Sequence, residues 1–126
     1  MTTQQRSIVP IYTTRGEVRA FLVYPHLFNQ NGEWIGWVTP NRDVFSVLGF
    51  YVGYLTNDPR ILRKRSDDSP HPHANPPHNP ERIKLPTTVP LARMMSELSH
   101  EIVDVLEEEP ERLHTSDSGE MRQDLD

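Results

Sequence analysis

Cysteine is absent from this 126-residue chain, which excludes a disulfide framework, a thiolate metal site and a thiol nucleophile. Long apolar runs are missing as well: none approaches the roughly 18 residues that a membrane-spanning helix requires. The opening MTTQQRSIVP has neither the basic start nor the apolar stretch of a secretory leader, so a cytoplasmic location is expected. Aromatic residues are absent from the second half, since every Phe, Trp and Tyr lies between Tyr12 and Tyr54. Positive charge is scarce there too. Residues 1–65 carry eight Lys/Arg against four Asp/Glu, whereas residues 66–126 carry five against fourteen. The overall charge of −5 argues against a general nucleic-acid binder. A uniformly mixed single globule is therefore not expected.

What is present is distributed in blocks. Five of the six glycines fall between Gly16 and Gly53, and seven of the twelve prolines between Pro70 and Pro90. The chain divides into a β-type region, 1–65, a Pro/His-rich linker, 66–89, an amphipathic helix with an acidic end, 90–114, and a disordered tail, 115–126.

The β-type region is repetitive. Its copies are Ile11–Leu22, Leu27–Val38 and Val44–Leu55, with turn glycines Gly16, Gly32 and Gly49 spaced by 16 and 17 residues. Each copy runs aliphatic-aromatic, a turn glycine, then a small residue (Ala20, Gly36 or Gly53) followed by aromatic and aliphatic residues. β-Branched and aromatic flanks around a central glycine predict a β-hairpin, and Asn31-Gly32 is the favoured pair for a two-residue primed turn. The small residue four positions after the turn suggests close approach of another backbone.

A fourth unit is split. Arg60-Ile61-Leu62 resembles the opening of a copy, and Ser7-Ile8-Val9 resembles a closing strand whose opening strand is missing. Joining them predicts that the N-terminal strand closes against residues 60–65 around a shared aromatic core, removing exposed edges. The expected fold class is mainly β: a small closed ring of four β-hairpin repeats, then the linker and one amphipathic α-helix. Hairpins of this length with a small-aromatic-aliphatic close resemble the four-fold beta-flower domain of bacterial proteins, over about residues 6–65. MORN repeats share short Tyr/Trp-Gly hairpins but have longer, glycine-richer copies. The beta-flower resemblance implies the fold and transfers no activity, cofactor or site residue.

In the linker, Pro70, Pro72, Pro76, Pro77 and Pro80 favour a stiff polyproline-like path. His71, His73 and His78, with Asp67 and Asp68 upstream, are metal-compatible residue types. No scaffold is evident to hold them in ligand geometry, so no metal and no cofactor is expected. Beyond the linker, Leu91, Met94, Met95, Leu98, Ile102, Val105 and Leu106 recur at helical spacing. Thr88 is placed to cap the start and Pro110 to end the helix. Leu91, Met95, Leu98, Ile102 and Val105 form a short heptad seam. Such a seam needs a surface: the chain's own β domain, a second copy, or a groove on another protein. Glu107, Glu108, Glu109 and Glu111 oppose the helix dipole and suit a basic partner, which Arg60, Arg63, Lys64 and Arg65 of the same chain could supply.

Catalytic residue types are sparse in the β region. His26, Glu17, Glu33, Asp43 and Asp58 make no converging acid–base set, and no nucleophile elbow or phosphate loop is present. Trp34 and Tyr51, each two residues before a small repeat position, are candidates for an outward binding surface, together with Arg63, Lys64 and Arg65. The function expected is a non-catalytic protein-interaction or scaffolding module, with a protein partner or self-association through 90–109. The alternatives are a binder of single-stranded nucleic acid or an anionic surface, using Arg15, Arg19 and the basic cluster, and a small metal-handling protein or enzyme.

Overall fold

The computed structural model describes residues 7–66 and 71–116. Its strands are β1 (Val9–Tyr12), β2 (Val18–Val23), β3 (His26–Phe28), β4 (Trp34–Val38), β5 (Asp43–Ser46), β6 (Tyr51–Leu55), β7 (Ile61–Lys64) and β8 (Ile102–Asp104). One helical turn, α1 (Val105–Glu108), and a 3-10 turn, Pro110–Arg112, follow. The strands form one antiparallel sheet in sequence order, curled into a half-barrel. Among the described residues no helix is long and apolar enough to cross a membrane.

A single turn design builds most of the meander. In Thr13–Glu17, Asn29–Glu33, Thr39–Asp43 and Ser46–Phe50 the first residue's N–H donates to the last carbonyl, and the fourth residue's N–H donates to the first. The first side chain then accepts from the last N–H, through Thr13 Oγ1 at 3.3 Å, Asn29 Oδ1 at 3.0 Å, Thr39 Oγ1 at 3.1 Å and Ser46 Oγ at 3.2 Å. The fourth residue has positive φ: 90° at Gly16, 79° at Gly32, 70° at Arg42 and 90° at Gly49. This is a three-residue hairpin loop ending in the left-handed region. Asn31-Gly32 is therefore not the two-residue primed turn expected; the Asn29 side chain lengthens the loop by bracketing it.

Three hairpins also share a bulge. Pairing slips between Ile11 and Tyr12, Leu27 and Phe28, and Val44 and Phe45. The unmatched residue opposite is Arg19, Ile35 or Val52, and the last two point into the core. A bulge bends its strand and raises local twist, so repetition at one position promotes curling. Ile11, Leu27, Val44 and Ile61, equivalent in the four units, are each 0% exposed and line the inside. The shared core is thus aliphatic rather than aromatic, because alternation puts the aromatic neighbours on the opposite face. There Phe21 pairs with Phe28, and Trp37 stacks on Phe45 with ring centroids 5.0 Å apart. A side chain added at Gly36 or Gly53 would strike the carbonyl of Phe45 or Leu62. The close approach expected at these glycines is real and comes from the neighbouring strand.

The fourth unit departs from expectation. β7 pairs with β8, through Leu62–Asp104, Arg63–Val103 and Lys64–Ile102, whereas β1 pairs only with β2. Residues 7–9 do not close against 60–65. The two ends of the sheet meet through isolated bonds. Tyr12 N–H donates to the Pro59 carbonyl at 3.1 Å, and both the N–H and hydroxyl of Thr14 donate to Asp104 Oδ2 at 2.7 Å.

The helix expected over 90–109 is correspondingly reduced to α1. The β-branched pair Ile102-Val103 instead supplies the missing edge partner of β7. Val103 and Val105 become 0% exposed, Leu106 4% and Leu113 6%. Each buried side chain of this type contributes about 1.5–3 kcal/mol, which an isolated amphipathic helix could not match. The tail expected from Thr115 lies, from residue 117 onward, outside the described residues.

Candidate functional site

The Pro/His-rich stretch is extended, as its composition implies, but it lies along the hairpin turns and does not span open solvent. Ala74 N–H donates to the Gly49 carbonyl and Ile83 N–H to the Gly32 carbonyl, each at 3.0 Å. The Ala92 methyl lies against Gly16, 3.6 Å from where a Cβ on that glycine would stand. The strap therefore visits the three turn glycines in reverse order, using residues nine positions apart. Flanking contacts hold it. His26 Nε2–H donates to the His78 carbonyl at 3.1 Å, Arg82 Nε to the Asn31 carbonyl at 2.8 Å, and Tyr12 hydroxyl to the Pro90 carbonyl at 2.6 Å. The His71 ring stacks on Tyr51 at 3.7 Å and 13°, and His73, bonded to the Leu48 carbonyl, meets the edge of Phe50 at 5.2 Å.

Of the histidines considered as metal ligands, His71 and His73 place their rings in separate strap contacts, whereas His78 is exposed and uses its backbone carbonyl. Among the described residues no three His, Asp or Glu side chains are grouped to hold a metal ion; Asp67 and Asp68 lie outside those residues.

Trp34 and Tyr51 are both half-buried, in different clefts. Trp34 Nε1–H donates to the Gly36 carbonyl at 2.7 Å, and the Trp34 ring meets the His26 ring edge-on. Tyr51 lines a cleft of about 420 Å³ with Phe50, Arg63, His71 and Arg112. Trp34 faces Asn79, Pro80, Arg82 and Thr115 instead. The two aromatics do not converge on one surface, because the strap passes over both.

The basic cluster meets the acidic end of its own chain. Arg63 makes a bidentate pair with Glu109 at 3.0 Å, Arg65 reaches Glu108 at 3.5 Å, and Arg15 reaches Glu107 at 2.7 Å. Lys64 is exposed. Burial pushes the Glu109 carboxyl up, but hydrogen bonds and charge from Arg63 and Arg112 outweigh it and hold the group below the ordinary glutamate range. Asp58 behaves alike: burial raises it, while bonds from Arg60 and Thr56 and the Arg60 charge bring it down. Arg60 is only 5% exposed, and it also donates to Thr14 Oγ1 at 3.2 Å and to the Ser96 carbonyl at 3.1 Å. Beside it, Asp104 places Oδ2 on Thr14, while its Oδ1 is buried without a protein partner.

The predicted seam is divided by the fold. Ile102 is half-buried in β8 and Val105 fully buried, whereas Met95 and Leu98 stay half-buried in an irregular segment. Leu91 and Met94 are 97% and 101% exposed, as free as in an unfolded peptide. Sequence reading missed the Asp104–Thr14 latch, whose partners lie 90 positions apart. It also missed the strap stations, although the spacing of Ala74, Ile83 and Ala92 against the turn glycines was there to find. No protein-family model, curated protein or solved structure matches this chain.

Proposed function

We propose that this protein is a non-catalytic interaction module, built on a four-hairpin plan of the beta-flower kind, that docks a protein partner through residues 90–101. One observation carries this reading: Leu91, Met94, Met95 and Leu98 keep the i, i+3, i+4, i+7 spacing of a groove-binding helix, yet two of the four, Leu91 and Met94, are left fully outside the core. An apolar stripe that the fold leaves half open is a recognition element, and ordering it into a helix on contact fits a partner with an apolar groove. Nucleic-acid or anionic-surface binding has less support, because Arg15, Arg63 and Arg65 already face Glu107, Glu109 and Glu108.

The test is a Leu91→Asp/Met94→Asp variant of the full chain, compared with wild type in affinity capture and then in reconstitution from purified components. A partner bound by wild type and lost by the variant, at unchanged thermal stability, supports the proposal. Equal binding by both chains would sink it.

A further inference from the structure

We infer that the hairpin-turn face is a receptor for an extended proline-rich chain, and that residues 71–92 are its built-in occupant. The partner it fits in trans is a proline-rich peptide of another protein carrying small or aliphatic residues nine positions apart. This inference concerns the hairpin-turn face, shares only residues 90–92 with the segment proposed above, and stands without that reading.

Three observations meet here. First, the receiving points repeat: Gly49 and Gly32 each offer a carbonyl to a strap N–H, and a Cβ on either glycine would strike the carbonyl of Ala74 or Ile83. Positive φ and bare backbone are thus used twice, once to turn the hairpin and once to admit a second chain. Second, the occupant is an extended segment with prolines between its stations, a shape that costs little conformational entropy to bind. Third, aromatic side chains of the sheet flank the strap beside the stations, as in grooves that hold proline-rich chains. His71 stacks on Tyr51, His73 meets Phe50, and Pro80 lines one cleft with His26 and Phe28. The strap supplies no fully buried side chain: Leu91 is exposed, and none of residues 71–92 belongs to the buried hydrophobic core. Its hold is therefore a chain of separate backbone bonds, in which the tether replaces affinity by an effective concentration on the order of millimolar.

The inference is tested on the full chain in two ways. In wild type, hydrogen exchange should show the Ala74 and Ile83 amides opening about a hundredfold more readily than those of Leu27 and Val44, without global unfolding. Exchange of all four only through global unfolding would overturn it, because the face could then never be vacated. In an Ala74→Pro/Ile83→Pro variant, which lacks both donating N–H groups, a synthetic peptide of residues 71–92 should bind saturably by tryptophan fluorescence. It should bind about tenfold more tightly than the same peptide with Pro77 deleted, which breaks the nine-residue register. Equal binding of the two peptides would overturn the inference, as would dimerisation of the variant without peptide, which would make a second copy the occupant. If the variant does not fold, the exchange measurement on wild type decides alone.

Discussion

Ending the chain at Arg65 should unfold the β-sheet. That truncation keeps all three complete sequence repeats, yet it removes β8, which is the pairing partner of β7. It also takes Val103, Val105, Leu106 and Leu113 out of the core, each at most 6% exposed in the intact protein. Four such side chains at about 1.5–3 kcal/mol each amount to about 6–12 kcal/mol. A small domain has only about 5–15 kcal/mol of stability in total. Loss of the Asp104 latch and of the Arg63–Glu109 pair deepens the deficit. The assay is thermal and urea denaturation of full-length and truncated chains followed by near-ultraviolet circular dichroism. The expected result is a cooperative transition for the full chain and none for the truncation. A native-like, cooperative unfolding of residues 1–65 would refute the reasoning and show that the repeats close without the C-terminal segment.

Other outcomes follow from the same contacts. Gly49→Ala and Gly32→Ala should each cost at least about 1–2 kcal/mol, from the left-handed backbone alone, and should release the neighbouring strap amide, as read by urea midpoint and hydrogen exchange. Asp104→Ala should cost about 1.5–3 kcal/mol, the range for a hydrogen bond to a charged group; Asp104→Asn, which keeps an acceptor for Thr14, should cost less in the same titration. Because the folded pKa of Glu109 is depressed, its pair with Arg63 stabilises the fold above the ordinary glutamate pKa of about 4. That contribution is lost as the pH falls through the depressed value. Thermal midpoints between pH 7 and pH 3 should accordingly fall less in Glu109→Gln than in wild type, and parallel curves would remove the pair from the acid response.

The repeated hairpins, their turn glycines and the extended course of the proline-rich stretch were determined by the sequence itself, because each rests on local chemistry. A Thr, Asn or Ser four positions before the end of a loop, a residue able to take positive φ and β-branched flanks act over only a few residues. Tertiary structure decided everything that depends on a distant partner. Ile102 and Val105 suit a heptad seam as well as they suit a strand running into a turn of helix, and only the unpaired edge of β7 selects the second. The match between the basic cluster and the acidic end was legible from charge, but which groups meet, Arg63 with Glu109 and Arg65 with Glu108 more than forty positions away, was decided by the fold. Whether the aromatics or the aliphatics of each repeat face inward was set by the direction in which the sheet curls, a curl that the repeated bulges promote. Leu91 and Met94 remain outside for the same reason: the core is completed by residues 103–113, and none of the described residues covers them.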